Sequence, residues 1–247
     1  MALKDYLKDI TTYVVSTGFF ERIKITASPQ EILIESMTKE KEIILKGKFD
    51  KPLADLTGEC GLSNLSLLQT ITSDPEYLLD ETTMTVEYEI RNGEKEPSEI
   101  TYQNKSNSHI NYRFMPKQLV PDQPKFNEPP WDVVIKPNKA SIQQFGWAAN
   151  GLAAYEQYFI PKITDGNLRF YIGDESASTQ RGGVVFATDL KEKFESPHKW
   201  KIQLLQGILK LAGSCDCEMS FSNKGAIQVK LETGIATYNY IFPAKVR

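Results

Sequence analysis

Leu3, Leu7, Ile10 and Val14 recur at helical spacing, with Lys4, Lys8 and Thr12 on the opposite side, which predicts an amphipathic helix. Alternating, strand-like runs follow at Phe20 to Thr26, Glu31 to Ser36 and Glu42 to Phe49, the first two joined through a Ser28-Pro29-Gln30 turn. After Gly61, the spacing of Leu62, Leu65, Leu68 and Ile71 predicts a short second helix, stopped by Ser73-Asp74-Pro75. Strands are then expected at Thr83 to Ile90, Glu99 to Gln103 and Ser108 to Phe114.

The segment MPKQLVPDQPKFNEPPW, Met115 to Trp131, holds five prolines in seventeen residues and cannot continue a helix or a central strand. It reads as a linker. Beyond it the plan restarts: Ile142, Phe145, Ala149 and Leu152 form a helical stripe, and Tyr158 to Thr164 and Leu168 to Ile172 flank an Asp165-Gly166-Asn167 turn. Lys24-Ile25-Thr26 recurs as Lys162-Ile163-Thr164, each ahead of a turn and a second strand. Trp200, Ile202 and Leu204 alternate with Lys199, Lys201 and Gln203 as a strand leading into a helix near Leu205 to Ala212. Strands at Glu218 to Ser222, Ala226 to Leu231 and Thr237 to Phe242 close the chain. The order predicts an α+β fold of two tandem similar domains, 1–114 and 132–247, joined by a linker at 115–131.

Forty per cent apolar residues, 12 Phe and 11 Tyr suffice for a core in each half of a 247-residue chain. No run approaches the roughly 18 apolar residues of a membrane span, and the charged N-terminus reads as neither signal nor anchor. An intracellular, cytoplasmic protein is expected. Cys60, Cys215 and Cys217 form an odd set, read as free thiols over a disulfide, and with only His109 and His198 beside them no metal site is expected. Both histidines sit in polar surroundings without a visible nucleophile. The phosphate-loop, dinucleotide, nucleophile-elbow and zinc-protease motifs are absent, so no catalytic residue and no cofactor is expected. A net charge of −3 does not advertise a nucleic-acid binder.

Helix, hairpin, short helix and meander, repeated around a Pro-rich connector, resembles the two-domain DNA sliding clamps: proliferating cell nuclear antigen and the clamps of T-even-type bacteriophages. The resemblance covers the whole chain and rests on the order and spacing of GLSNLSLLQTI, QLVP, WDVVIKPNKASIQQF, QLLQGILKLAG and YNYIFPAK. It implies two helices per domain on the inner wall of a closed ring with β-sheet outside. A domain of about 120 residues has a diameter of about 35 Å, and six such spheres leave a hole one sphere wide, enough for a duplex. Two domains per chain then imply a homotrimer encircling DNA without sequence preference, serving a DNA polymerase as processivity factor and opened by a clamp loader ATPase.

The resemblance carries over to particular positions. Lys4 and Lys8, on the polar face of the first helix, would point into the hole and meet phosphates, Lys210 matches a basic position of the family's last helix, and Lys139 at the start of the third helix is a lesser candidate; the bland alternative is a solvated helix face, with Asp5 and Asp9 on the adjacent stripe. The second and third helices depart from the family in offering Ser63, Ser66, Gln69, Gln143, Gln144 and Asn150 instead of basic side chains. Trp147 falls on the polar side of its helix and reads as half-buried rather than DNA-contacting. Partner peptides would enter a groove bounded by Leu119, Val120 and Pro121 and by Ile241, Phe242, Pro243 and Ala244, floored by Met37, Ile43 and Leu45. The alternative is a linker pinned to its own domain and an ordinary last strand. Subunits would join through Ile110, Tyr112 and Phe114 on one edge strand and Val184 and Phe186 on another. The rival function is a β-rich structural assembly protein, separable from a clamp because it would not raise polymerase processivity; a hydrolase built from scattered carboxylates is a third.

Overall fold

A computed structural model describes residues 2–120, 126–173 and 180–244. The chain divides into two compact units, the first formed by Met1–Glu40, Ile44–Lys125 and Thr233–Tyr238, the second by Lys41–Ile43, Phe126–Glu232 and Asn239–Arg247. The cut within the connector falls after Lys125, and two short pieces count with the unit on the other side of it.

In the first unit the opening stripe forms α1 (Leu3–Tyr13), which buries Leu3, Tyr6, Leu7, Ile10 and Tyr13. Gly18, at φ +69°, ends the following turn by donating its N–H to the Val15 carbonyl, a backbone shape that suits glycine. Strands β1 (Ile23–Ala27), β2 (Ile32–Met37), β3 (Ile44–Phe49) and β4 (Gly58–Leu62) come next. Helix α2 (Leu65–Thr72) is capped by Asn64, whose side chain accepts from the Leu67 N–H. Then come β5 (Thr83–Arg91), β6 (Glu94–Gln103), β7 (His109–Arg113) and the two-residue β8 (Met115–Pro116). The second unit runs β9 (Val133–Ile135), α3 (Lys139–Leu152), β10 (Tyr158–Thr164), β11 (Asn167–Ile172), β12 (Gly182–Ala187), β13 (Trp200–Lys201), α4 (Ile202–Leu209), β14 (Asp216–Ser222), β15 (Ala226–Glu232) and β16 (Ala236–Pro243). Residues 236–238 of β16 count with the first unit.

Strand order shows the repeat. The first unit orders four antiparallel strands β4-β1-β2-β3 and the second β13-β10-β11-β12, and each adds a three-strand meander, β5-β6-β7 or β14-β15-β16. Helices α1 and α3 therefore correspond, as do α2 and α4, β3 and β12, and β7 and β16. In the first unit, residues 236–238 of β16 lie beside β3. Among the described strands, β12 and β7 each have a neighbour on one side only.

Each unit has its own aromatic core. In the first, Tyr6 packs on Phe49 at 4.3 Å between ring centres, and Tyr238 lies 5.9 Å from Tyr13. In the second, Phe145 of α3 meets Phe159 at 5.7 Å and Phe170 at 5.3 Å, and Phe170 stacks on Phe186 at 4.4 Å. Burying one such side chain contributes about 1.5–3 kcal/mol, so these clusters hold the strand faces in register.

The structure corrects several boundaries. Leu62 ends β4 instead of opening α2, and β4 itself escapes the sequence pattern because Gly58 and Gly61 interrupt its alternation. A β-carbon on Gly61 would stand 2.8 Å from Val120 Cγ2 and 3.1 Å from Met115 Cβ, so the bare backbone lets the connector close on the strand. The expected strand through Leu204 stops at Lys201, and α4 begins at Ile202 because Ile202, Leu205, Ile208 and Leu209 also form a helical stripe that burial selects. The connector is not structureless: β8 pairs with β4 and a 3₁₀ turn covers Lys117–Leu119; just beyond it β9, a strand the sequence pattern did not predict, pairs with β14.

Candidate functional site

The four helices carry few charges, and their placement is specific. On α1, Lys4 Nζ donates to the Leu79 carbonyl at 2.7 Å, and Lys8 Nζ to the Thr72 carbonyl at 2.7 Å. Thr72 is the last residue of α2, where exposed carbonyls and the helix dipole favour a cation. Both lysines are half-buried, so neither is freely solvated. Asp9, on the same helix, accepts from Tyr238 Oη at 2.7 Å and Thr233 Oγ1 at 3.2 Å. Burial pushes the Asp9 carboxyl up, these two hydrogen bonds pull it down, and Asp50 adds to the rise. Asp5 accepts from the Ala2 backbone N–H at 2.8 Å.

In the second unit, Asn138 caps α3 by accepting from the Ser141 N–H at 2.8 Å, which leaves Lys139 exposed at the first helical position. Gln206 of α4 donates to Asn150 Oδ1 at 3.0 Å, and Lys210, one turn on, is exposed. Trp147 is 76% exposed, which corrects the half-buried expectation. Neither α3 nor α4 contains a carboxylate.

The residues expected to frame a partner groove divide between the units. Met37, Leu45, Leu119 and Val120 belong to the first; Ile43, Ile241, Phe242, Pro243 and Ala244 belong to the second. Pro121 lies outside the described residues. Ile43, Leu45, Ile241 and Phe242 are core side chains, each at most 3% exposed, so they offer a peptide no free apolar surface. The Phe242 carbonyl accepts from Trp200 Nε1 at 2.9 Å, which fixes the last strand to its own unit. The start of the connector is likewise held: Lys117 pairs with Glu94 at 3.3 Å and Gln118 Nε2 donates to Glu96 Oε1 at 2.9 Å. Leu119, the large apolar side chain of this stretch, is 66% exposed.

The edge strands also need correction. Tyr112, Phe114, Val184 and Phe186 are at most 6% exposed and pack inside their own units, so only Ile110 of that set retains side-chain surface. What each strand offers a neighbour is its backbone edge. The Phe114 N–H donates to the Ser98 carbonyl at 2.9 Å, and the Asn104 N–H to the Ser108 carbonyl at 3.0 Å. Bonded pairs alternate in an antiparallel ladder, so Ile110 and Tyr112, opposite Tyr102 and Ile100, aim their N–H groups at β6. His109, Asn111 and Arg113 aim theirs at the open edge. This direction cannot be read from sequence.

The remaining chemistry is sparse. All three cysteines are free thiols; burial pushes Cys217 up to about 12 and raises Cys60 further, so neither is a ready nucleophile. Among the described residues no cluster of His, Cys, Asp and Glu is arranged to hold a metal ion, and no helix is long and apolar enough to cross a membrane.

No protein-family model matches the sequence, and no curated protein matches it significantly. Solved structures do match. The structure of A. fulgidus PCNA bound to the C-terminal region of FEN-1 aligns over 100% of this chain and 97% of its own, with a TM-score of 0.68 at 11% identity. PCNA from Thermococcus kodakaraensis aligns over 99% and 98%, with a TM-score of 0.68 at 12% identity. The chain therefore has, over its whole length, the two-domain fold of these archaeal PCNA structures.

Proposed function

We propose that this protein is a DNA sliding clamp, a ring of three copies that encircles duplex DNA, holds a DNA polymerase and other partners there, and catalyses no reaction itself. The observation that carries this reading is the distribution of acid. The chain has 32 Asp and Glu residues and a net charge of −3, yet among the described residues the four α-helices hold two carboxylates, Asp5 and Asp9, and both are engaged within the protein. Phosphate repels free carboxylates, and a surface that slides on DNA needs weak, unspecific cations and no anions. Lys4, Lys8, Lys139 and Lys210 are the positions proposed to supply them.

Ring closure follows from the repeat. Because β3 corresponds to β12 and β16 to β7, the pairing of residues 236–238 of β16 beside β3 has a counterpart, β7 beside β12, that is not made among the described strands. A second copy supplies it, since open strand edges must be paired or protected. Such a contact between unlike edges closes into a ring when its rotation fits, which for two repeated units per chain and six around the ring is a third of a turn. A closed ring must be opened to enter circular DNA, so a clamp loader ATPase belongs to the proposal, and its place is the replicating cytoplasm, of a cell or of a bacteriophage host. The A. fulgidus PCNA structure holds the C-terminal region of FEN-1; here Leu119, with Val120 beside it in the first unit, is the proposed landing surface for partner segments.

Encirclement is tested without a loader. Purified protein is incubated with linear duplex carrying biotin at both ends, streptavidin is added, and the mixture is gel-filtered in high salt. Protein that threaded on should stay with the blocked DNA and leave when a restriction cut opens an end. Loss of the protein at the same rate from blocked and cut DNA would reject the clamp.

A further inference from the structure

Helix α3 presents an aromatic residue where packing gives it no task. Two residues correspond to about 200° of helical rotation, so Trp147 points nearly opposite Phe145, which is fully buried at the centre of the second unit's aromatic core. Trp147 is the most exposed large apolar side chain among the described residues. Its neighbours on the outward arc, Lys139, Gln143, Gln144 and Asn150, are all exposed, and every one is neutral or basic. Beside them α4 contributes Gln206 and Lys210, again without acid. The surface is thus a polar, acid-free strip with one indole in its middle. An apolar protein partner is matched poorly by a single ring among amides, whereas a polyanion with sugar faces is matched well: the indole N–H is a donor and its face is apolar.

We propose that Trp147 is a DNA-contacting residue, lying against deoxyribose and donating its N–H to a backbone phosphate oxygen of the duplex, and that it supplies on α3 the contact for which this helix has no basic side chain beyond Lys139. The inference rests on the clamp reading and adds to it a contact that depends on no formal charge. Amide side chains flanking the ring offer exchangeable hydrogen bonds to successive phosphates, so the contact moves along DNA without reading sequence.

The test uses end-blocked DNA and the fluorescence of the whole protein. Trp200 is buried and Trp131 half-buried, so acrylamide reaches Trp147 most readily, and the Trp147→Phe variant defines that fraction. Threading onto blocked duplex should remove this acrylamide-accessible fraction in the wild type and change little in Trp147→Phe. Trp147→Ala should bind free-ended duplex about threefold or more weakly, the loss of one hydrogen bond to a charged group being of this order or larger. Its melting temperature should change little, because Trp147 is 76% exposed. Wild type trapped on blocked DNA with Trp147 still fully accessible would overturn the contact and leave the clamp standing. Protection of Trp147 in the DNA-free assembly would overturn it too, by assigning the ring to contacts between subunits. Absence of trapping, with Trp147 still accessible in the presence of DNA, would remove both.

Discussion

In the first unit the lysines of α1 bond back into the protein, to carbonyls of Leu79 and Thr72, and Asp9 of that helix is engaged by hydrogen bonds from Tyr238 and Thr233. In the second unit α3 and α4 carry no acid to engage, and Lys139 and Lys210 stand exposed. One topology is thus finished in two ways. The first unit commits part of its basic charge to its own helix ends; the second leaves charge and an indole outward. The difference teaches that a basic residue on a polar helix face is not automatically available to a ligand, and that availability has to be read from its hydrogen bonds.

The largest expected effect separates the two parities of β7. Asn111→Pro removes an N–H aimed at the open edge and should convert trimers at micromolar concentration into folded monomers, seen by light scattering and circular dichroism. Ile110→Pro removes an N–H aimed at β6 and should unfold the meander of the first unit. If Asn111→Pro stays trimeric, β7 is not the joining edge.

A smaller effect contrasts the lysine pairs directly. Replacing Lys139 and Lys210 with Ala should leave the melting temperature unchanged and lower the log–log salt slope of DNA binding by about 0.9 for each phosphate no longer neutralised. Replacing Lys4 and Lys8 should cost about 1 kcal/mol, a fall of about 2–4 °C in a chain of this size, with a lesser change in slope. A reversed pattern would show that the carbonyl bonds of α1 give way to DNA and that the contrast between the units is not functional.

Much of this is legible in the sequence, and the exceptions have physical causes. Tyr158 to Thr164 is readable as a strand because its alternation is unbroken, and the connector because its prolines limit regular structure among its described residues to a two-residue strand and one 3₁₀ turn. Strand β4 is hidden by Gly58 and Gly61, and the start of α4 by a segment whose apolar positions fit both periods. Phe242 reads falsely as groove surface because both faces at the end of β16 are buried, Ile241 as well as Tyr240 and Phe242, so alternation there does not separate core from surface. The exposure of Trp147 is recoverable: its position opposite Phe145 follows from helix geometry alone. The carbonyl partners of Lys4 and Lys8 are not, since they lie more than sixty residues away in the chain.

The central claim, that two repeated units with complementary open edges close on themselves, is tested most directly by electron microscopy of the purified protein, with its mass measured on the same sample. The account predicts particles of three chains with a central hole wide enough for duplex DNA and six similar lobes around it. Monomers, open chains of subunits or solid particles without a hole would contradict it.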